Sequence, residues 1–222
     1  MNGLSRFRVA FSALAVAFTV AAIAFYVGAY LTNASPSSGA VQTAQGTHLY
    51  LATVPASEAS DPHPTWVSYY NVSPTSTNWR HTTTFILPAN TEVTVTIYNY
   101  DGQSGLRNPF LSHVVGTKGG TFQLDGRTVK SFDPAAPSHL FAIPQLGLFV
   151  PVYGVGGEAP NQCGQAPCGL KQAHTTTTFS FHTPAKGLYR WQCFVPCAAG
   201  YIDGIGGPMQ RVGYMDGYIK VV

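Results

Sequence analysis

Charge is scarce in this chain. Only 9% of its 222 residues are Asp, Glu, Lys or Arg, against a globular norm of about 25%. Setting Arg6 and Arg8 aside, the twelve basic residues fall to ten against nine acidic ones, a net charge near +1 beyond residue 32. That balance leaves no basic face for nucleic acid. The chain has no phosphate-cradling glycine loop, no HExxH pair and no GxSxG elbow, so nothing points to P-loop, zincin or serine-hydrolase chemistry. No stretch beyond residue 31 holds a 3.6-residue apolar period, which argues against a helical bundle. Cysteine is limited to four residues, and no histidine follows Cys193.

What is present favours strands. The chain is 45% hydrophobic, with 23 Gly and 16 Pro to punctuate it. Threonine and aromatic residues are plentiful, and both suit a pleated surface. "TTTFILPANTEVTVTIYNYDG" alternates cleanly, with Val93, Val95 and Ile97 on one face and Thr94, Thr96 and Tyr98 on the other. "HTTTTFSFHTPAKGLYRWQCF" reads as a hairpin turning at Pro184–Gly187, and "DGYIKVV" as a closing strand. The expectation is an antiparallel β-sandwich of about seven or eight short strands. His139 and His174 read as flanking turns, His48, His63 and His81 as solvated, and His182 as solvent-facing on its strand.

One long apolar run precedes this domain. Val9 to Leu31 carries no charge, and its 23 residues extend to roughly 34 Å as a helix, enough for a hydrocarbon core of about 30 Å. Signal-peptide apolar regions are shorter, about 7–15 residues, so a retained membrane helix is expected over 9–31. Arg6 and Arg8 ahead of it put residues 1–8 in the cytoplasm and the C-terminal domain outside. Residues 32–47 then read as a linker and 48–222 as the extracytoplasmic domain.

An extracytoplasmic compartment lets cysteines oxidise. Cys163 and Cys168 bracket a tight turn, and Cys193 and Cys197 lie four apart. The expected pairing is local within each couple. Cross-pairing of the two loops, which would staple the 102–173 stretch to the sandwich end, is the rival.

"ILPANTEVTVTI", the hairpin through Cys193, the loop after it and "MDGYIKVV" together resemble a cupredoxin. They are most similar to the outer domain of subunit II of haem-copper terminal oxidases, the type with a single N-terminal membrane helix. The resemblance covers roughly residues 83–100 and 174–222. It implies an all-β, cupredoxin-like antiparallel Greek-key sandwich behind one transmembrane helix. It also implies a two-copper CuA loop of pattern Cys-x3-Cys-x3-His-x2-Met. Cys193 and Cys197 fall on the thiolates. Tyr201 stands at the loop histidine and Gly204 at the methionine. Met215 fits the methionine if residues 202–214 are an insertion, with Met209 the other candidate. The upstream histidine, expected about eighty residues before a Cys, falls near His113, with Phe110 in its slot.

A protonated phenol of pKa about 10 is a poor substitute for imidazole. The sequence therefore leads to a membrane-anchored subunit II-like component of a haem-copper oxidase or reductase, structural and without a working CuA centre. Residual copper candidates are Cys193, Cys197, Met215 and His113. A copper-binding electron carrier using Cys193 and Cys197, and a purely structural sandwich, are the alternatives. The loop apolar residues Tyr201, Ile205, Met209 and Tyr214 are expected to dock on a haem-bearing membrane subunit.

Overall fold

The computed structural model of the chain describes residues 3–26, 42–43, 46–57, 65–106, 108–197 and 207–222. The chain divides into two compact units, Met1–Ser35 and Pro36–Val222. The first holds one helix, α1 (Gly3–Tyr26). Its segment Arg8–Tyr26 is long and apolar enough to cross a membrane, with a mean hydropathy of 2.2. Phe11, Leu14, Phe18 and Phe25 are 65–77% exposed, and a helix apolar on every side finds its cover in an apolar surrounding. It is a candidate membrane anchor or signal sequence. The rest of the expected span, residues 27–31, and most of the expected linker lie outside the described residues.

The second unit is mostly β. Its strands are β1 (Gln42–Thr43), β2 (His48–Val54), β3 (Ser68–Val72), β4 (Trp79–Arg80), β5 (Thr84–Leu87) and β6 (Glu92–Asn99). There follow β7 (Phe122–Leu124), β8 (Arg127–Val129), β9 (Pro137–Ile143), β10 (Leu148–Tyr153), β11 (Thr175–His182), β12 (Gly187–Gln192) and β13 (Asp216–Val221). They form a six-stranded sheet ordered β1-β5-β13-β12-β9-β10 and a seven-stranded sheet ordered β4-β3-β2-β6-β11-β7-β8. This is the expected two-sheet β-sandwich, built from more strands than the alternation in the sequence shows. It is not wholly antiparallel: β1 with β5, β5 with β13, and β2 with β6 run parallel. Part of the expected linker, Gln42–Thr43, pairs as β1 with Phe85 and Ile86.

The alternating residues do what alternation dictates. Val93, Val95 and Ile97 are fully buried, and β6 pairs with β11 over eight positions from Asn99↔Thr175 to Glu92↔His182. Asn90 takes a positive φ of 49° in the turn before β6, a conformation asparagine tolerates. Successive residues of β2 and β3 point to opposite faces, so both faces carry apolar side chains. Leu49, Leu51 and Tyr69 enter the core between the sheets. Ala52, Val54, Tyr70 and Val72 form a second cluster with Tyr100, Ala166 and the Cys163–Cys168 disulfide. The disulfide-bearing loop thus covers the other face of the seven-stranded sheet.

Trp191 occupies the middle of the main core. Its indole stacks on Phe141 at 5.2 Å and Phe85 at 6.0 Å, and meets Tyr69 edge-on at 4.9 Å. Its Nε1 donates to the Thr83 carbonyl at 2.8 Å. The same carbonyl accepts from Tyr218 N at 3.0 Å. This close approach requires Gly217, where a Cβ would fall 1.9 Å from Thr83 O. Backbone cannot step aside as a side-chain tip can. Gly217→Ala is expected to cost about 3 kcal/mol or more of unfolding free energy, the upper range for overpacking. Gly164→Ala, which meets nothing within 4 Å, should stay within about 0.5 kcal/mol. Urea unfolding of both variants in mild detergent checks the contrast, and equal losses would contradict the packing assignment.

Candidate metal centre

Strand β12 delivers Cys193. The strand ends at Gln192, which pairs with Ala142 of β9, so Cys193 emerges beside the middle of β9. There Leu140 N donates to its Sγ at 3.3 Å. The chain then turns through Phe194–Pro196 and returns Cys197, whose Sγ lies 3.2 Å from that of Cys193. Both cysteines are free thiols, not the disulfide expected of them. A third group, His139 of β9, sits with them. Its Nδ1 lies 2.9 Å from Cys197 Sγ. The three ligating atoms fall within 4.8 Å of one another, and all three residues are buried.

His139 is only 1% exposed, so its reading as a turn-flanking residue is corrected. Every residue of β9 is buried, and a histidine there must find polar partners. A signal was present in the sequence. "HLFAI" is a histidine opening a hydrophobic strand, the pattern expected of the upstream ligand. The spacing hid it, because His139 precedes Cys193 by only 54 residues.

His113, the residue favoured at that place, is elsewhere. It is exposed, with Nδ1 2.8 Å from Ser112 Oγ and 3.0 Å from Pro109 O, and it does not join the cluster. Phe110 is 49% exposed beside Phe149, at 5.3 Å.

The two methionines exchange roles. Met209 Sδ accepts from Cys197 N at 3.2 Å, and Gln192 Nε2 holds the Met209 carbonyl at 2.6 Å. Met215, fully buried in the core, accepts from Cys193 N at 2.9 Å through its carbonyl. Tyr214, expected on a docking loop, is completely buried. Its ring packs edge-on against Trp66 at 4.9 Å and His81 at 5.3 Å, and its carbonyl takes Tyr69 N at 3.0 Å. An aromatic bridging β3 to the approach of β13 is core, not interface. Tyr201 and Ile205 lie outside the described residues, as does His63.

The charges at the cluster balance one another. Burial pulls the His139 imidazolium down, but Asp101 on one side and the Cys193 thiolate on the other raise it to about 9. Burial pushes the Cys193 thiol up, but hydrogen bonds from Cys197, His139 and Leu140 N outweigh it and lower it to about 5. Cys197, which shares its proton with Cys193 and is buried as well, is raised. Metal-free, the group is one thiolate, one thiol and an imidazolium. Tyr69 stands against it with a buried hydroxyl that has no hydrogen-bond partner among the described residues. Burial and then the two sulfurs push that phenol well upward, so it stays neutral.

Two soft sulfurs, an imidazole nitrogen and a nearby thioether suit Cu(I) or another thiophilic ion. Polar side chains buried this deeply are costly unless paired with each other or a metal. A second imidazole, which each copper of a two-copper centre requires, cannot come from the loop, since no histidine follows Cys193. The donor set fits one ion.

A two-sheet β-sandwich with a buried His-Cys-Cys group is therefore the class of protein that the fold and site define. No protein-family profile matches the chain, and no curated protein matches it. Among solved structures it is similar to reduced rusticyanin, at 17% identity over 86% of this chain and 93% of that one, with a TM-score of 0.32. A second structure, described as the copper protein rusticyanin, matches at 18% identity, over 88% and 94% of the two chains, with a TM-score of 0.31. Rusticyanin from Thiobacillus ferrooxidans matches at 17%, over 86% and 90%, with a TM-score of 0.31.

The cluster sets a pH window for the metal-free protein. Cys193 is lowered from 9.0 to about 5, so its contribution is lost as pH falls through 5. His139 is raised from 6.5 to about 9, so its contribution is lost as pH rises through 9. Between about 6.5 and 9 folded and unfolded chains hold equal numbers of these protons, and stability is level. Above 9 it is the Cys197 proton, retained by the folded chain alone, that makes stability fall. Chelator-washed wild type should therefore be more stable at pH 7.5 than at pH 5 or 10, by denaturant unfolding. Cys193→Ser should flatten the acid limb, and a variant with an unchanged limb would contradict these charge states.

Proposed function

We propose that the outer domain is a copper-binding, electron-transferring cupredoxin-like module with a single-ion centre held by His139, Cys193 and Cys197, and Met209 beside them. The observation that carries this is the convergence of three ligating atoms within 4.8 Å, all on buried residues. It replaces the expectation of a lost copper site, because β9 supplies an imidazole that the spacing argument placed elsewhere. When bound, copper supplies a one-electron couple. The protein's part is to hold the ligands still and keep water out. Leu140 N fixes the Cys193 sulfur, Gln192 fixes the Met209 backbone, and Trp191, Tyr69 and Phe141 share one buried apolar cluster with the two cysteines. Rigid donors lower the reorganisation that electron transfer demands, as preorganised polar groups do elsewhere.

The test is metal content. Full-length chain in detergent, given copper with reductant and freed of excess, should retain one copper per chain and show a thiolate-to-copper absorption band on oxidation. Cys193→Ser should lose the band. His139→Gln should weaken binding by more than the roughly 10–100-fold typical of residues that merely support a ligand. No bound copper would leave a structural sandwich, and two coppers with a purple two-metal spectrum would return the reading to a CuA centre.

A finer placement follows the resemblance of "HTTTTFSFHTPAKGLYRWQC" and "MDGYIKVV" to oxidase subunit II. The chain is proposed to be a single-pass membrane protein, its outer domain extracytoplasmic, partnered by a haem-bearing membrane subunit. Support comes from that resemblance, from α1 and from Arg6 and Arg8 ahead of the apolar run. Mild-detergent purification from the native membrane should bring down a haem protein in constant ratio, and a haem-free preparation would remove this placement.

A further inference from the structure

We infer that Asp101 is the positioning residue of the metal centre: it holds the proton of His139 on Nε2 and thereby presents Nδ1, unprotonated, to the ion. The inference rests on the copper reading above and adds a residue outside the ligand set.

The geometry has four parts. First, His139 is aimed both ways, with Nδ1 toward the sulfurs and Nε2 toward Asp101, whose Oδ2 lies 3.1 Å away. The approach is too oblique to count as a formed hydrogen bond, and among the described residues Nε2 makes none, Oδ2 being the acceptor beside it. A ring nitrogen buried to 1% exposure therefore has one acceptor to use.

Second, the carboxylate is not free to wander. Its Oδ1 already accepts from Gly102 N at 2.7 Å, which leaves Oδ2 directed at the imidazole. Third, the backbone of Asp101 is clamped. Its carbonyl accepts from Val155 N at 2.8 Å and Asn99 Nδ2 at 3.0 Å. Its amide donates to Asn99 Oδ1 at 3.3 Å.

Fourth, the clamp is tied to the strand that carries the ligand. Asn99, wholly buried, also donates to Ser138 Oγ at 2.9 Å and Tyr153 O at 2.8 Å, and Thr53 Oγ1 donates to Asn99 Oδ1. One buried amide thus fastens the end of β6 to β9 at the residue before His139 and to the end of β10.

An imidazole binds a metal through one nitrogen only if the other keeps the proton, and the acceptor at that second nitrogen decides which is which. Asp101 is the acceptor here. It contributes orientation and basicity without touching the ion.

The experiment uses the full-length chain, labelled with ¹⁵N-histidine in detergent micelles, metal-free and with one equivalent of Cu(I). Wild type, Asp101→Asn and Asp101→Ala are compared by imidazole ¹⁵N–¹H spectra and by Cu(I) competition with a chelator. Wild type with Cu(I) should show His139 protonated at Nε2 alone. Asp101→Ala should shift the His139 ring nitrogens even without metal, and lower Cu(I) affinity about 10–100-fold. Asp101→Asn, which keeps an acceptor oxygen, should retain the Nε2 proton and most of the affinity.

Unchanged ring signals and affinity in Asp101→Ala would overturn the inference. So would equal losses in both variants, which would mark Asp101 as a structural residue only. If wild type binds no Cu(I), the copper reading fails by itself, and the metal-free His139 spectrum taken above pH 9, where the ring is neutral, still decides which nitrogen Asp101 keeps protonated.

Discussion

The site depends on strand β12 lying beside β9. Their recorded pairing is brief, Gln192 against Ala142, yet it joins the β5-β13-β12 half of the sheet to the β9-β10 half. Because the pairing falls at the last residue of β12, the next residue, Cys193, reaches the amide of Leu140. His139 is one residue further back on β9. A register shift of a single residue would turn His139 to the opposite face and separate imidazole from thiol. Trp191, stacked between Phe85 and Phe141, holds that register from the hydrophobic side, since sliding β12 would drag the indole out of its slot.

Polar groups near this junction are buried in connected sets. Asn99 is saturated by Thr53, Asp101, Ser138 and Tyr153. Asp216, fully buried at the start of β13, has Arg190 of β12 across from it. Burial raises the Asp216 carboxyl more than the guanidinium lowers it, so the pair contributes alignment of β12 with β13 more than stability. In contrast, Tyr69 keeps an unpaired hydroxyl next to the cluster. An unsatisfied buried donor costs roughly 1–3 kcal/mol and sits where the sulfurs are.

The long 102–173 stretch has two jobs in the sandwich. Its middle supplies β9 and β10, and hence the histidine. Its end folds the Cys163–Cys168 loop over Ala52, Val54 and Tyr70. The local pairing of that couple follows from its five-residue separation across a turn. The other couple, almost as close in sequence, is free, with the His139 imidazole against Cys197 Sγ and the Met209 thioether on the Cys197 amide.

The sequence by itself determined the elements whose signal is local. Two-residue alternation marked β6, β11 and β12, and an uncharged apolar run marked α1, because strand and helix periods are written in consecutive residues. The cysteines and Met209 were visible as candidate donors for the same reason. Only the tertiary structure decided that His139, and not His113, completes the group. It alone decided that Tyr214 is core, that β2 and β5 take parallel partners, and that Asp101 stands behind the imidazole. Those outcomes depend on which strands become neighbours across intervening chain, from 38 positions between Asp101 and His139 to 148 between Trp66 and Tyr214. Pairing of that range is selected by the burial of the whole sandwich, to which no single stretch of sequence gives access.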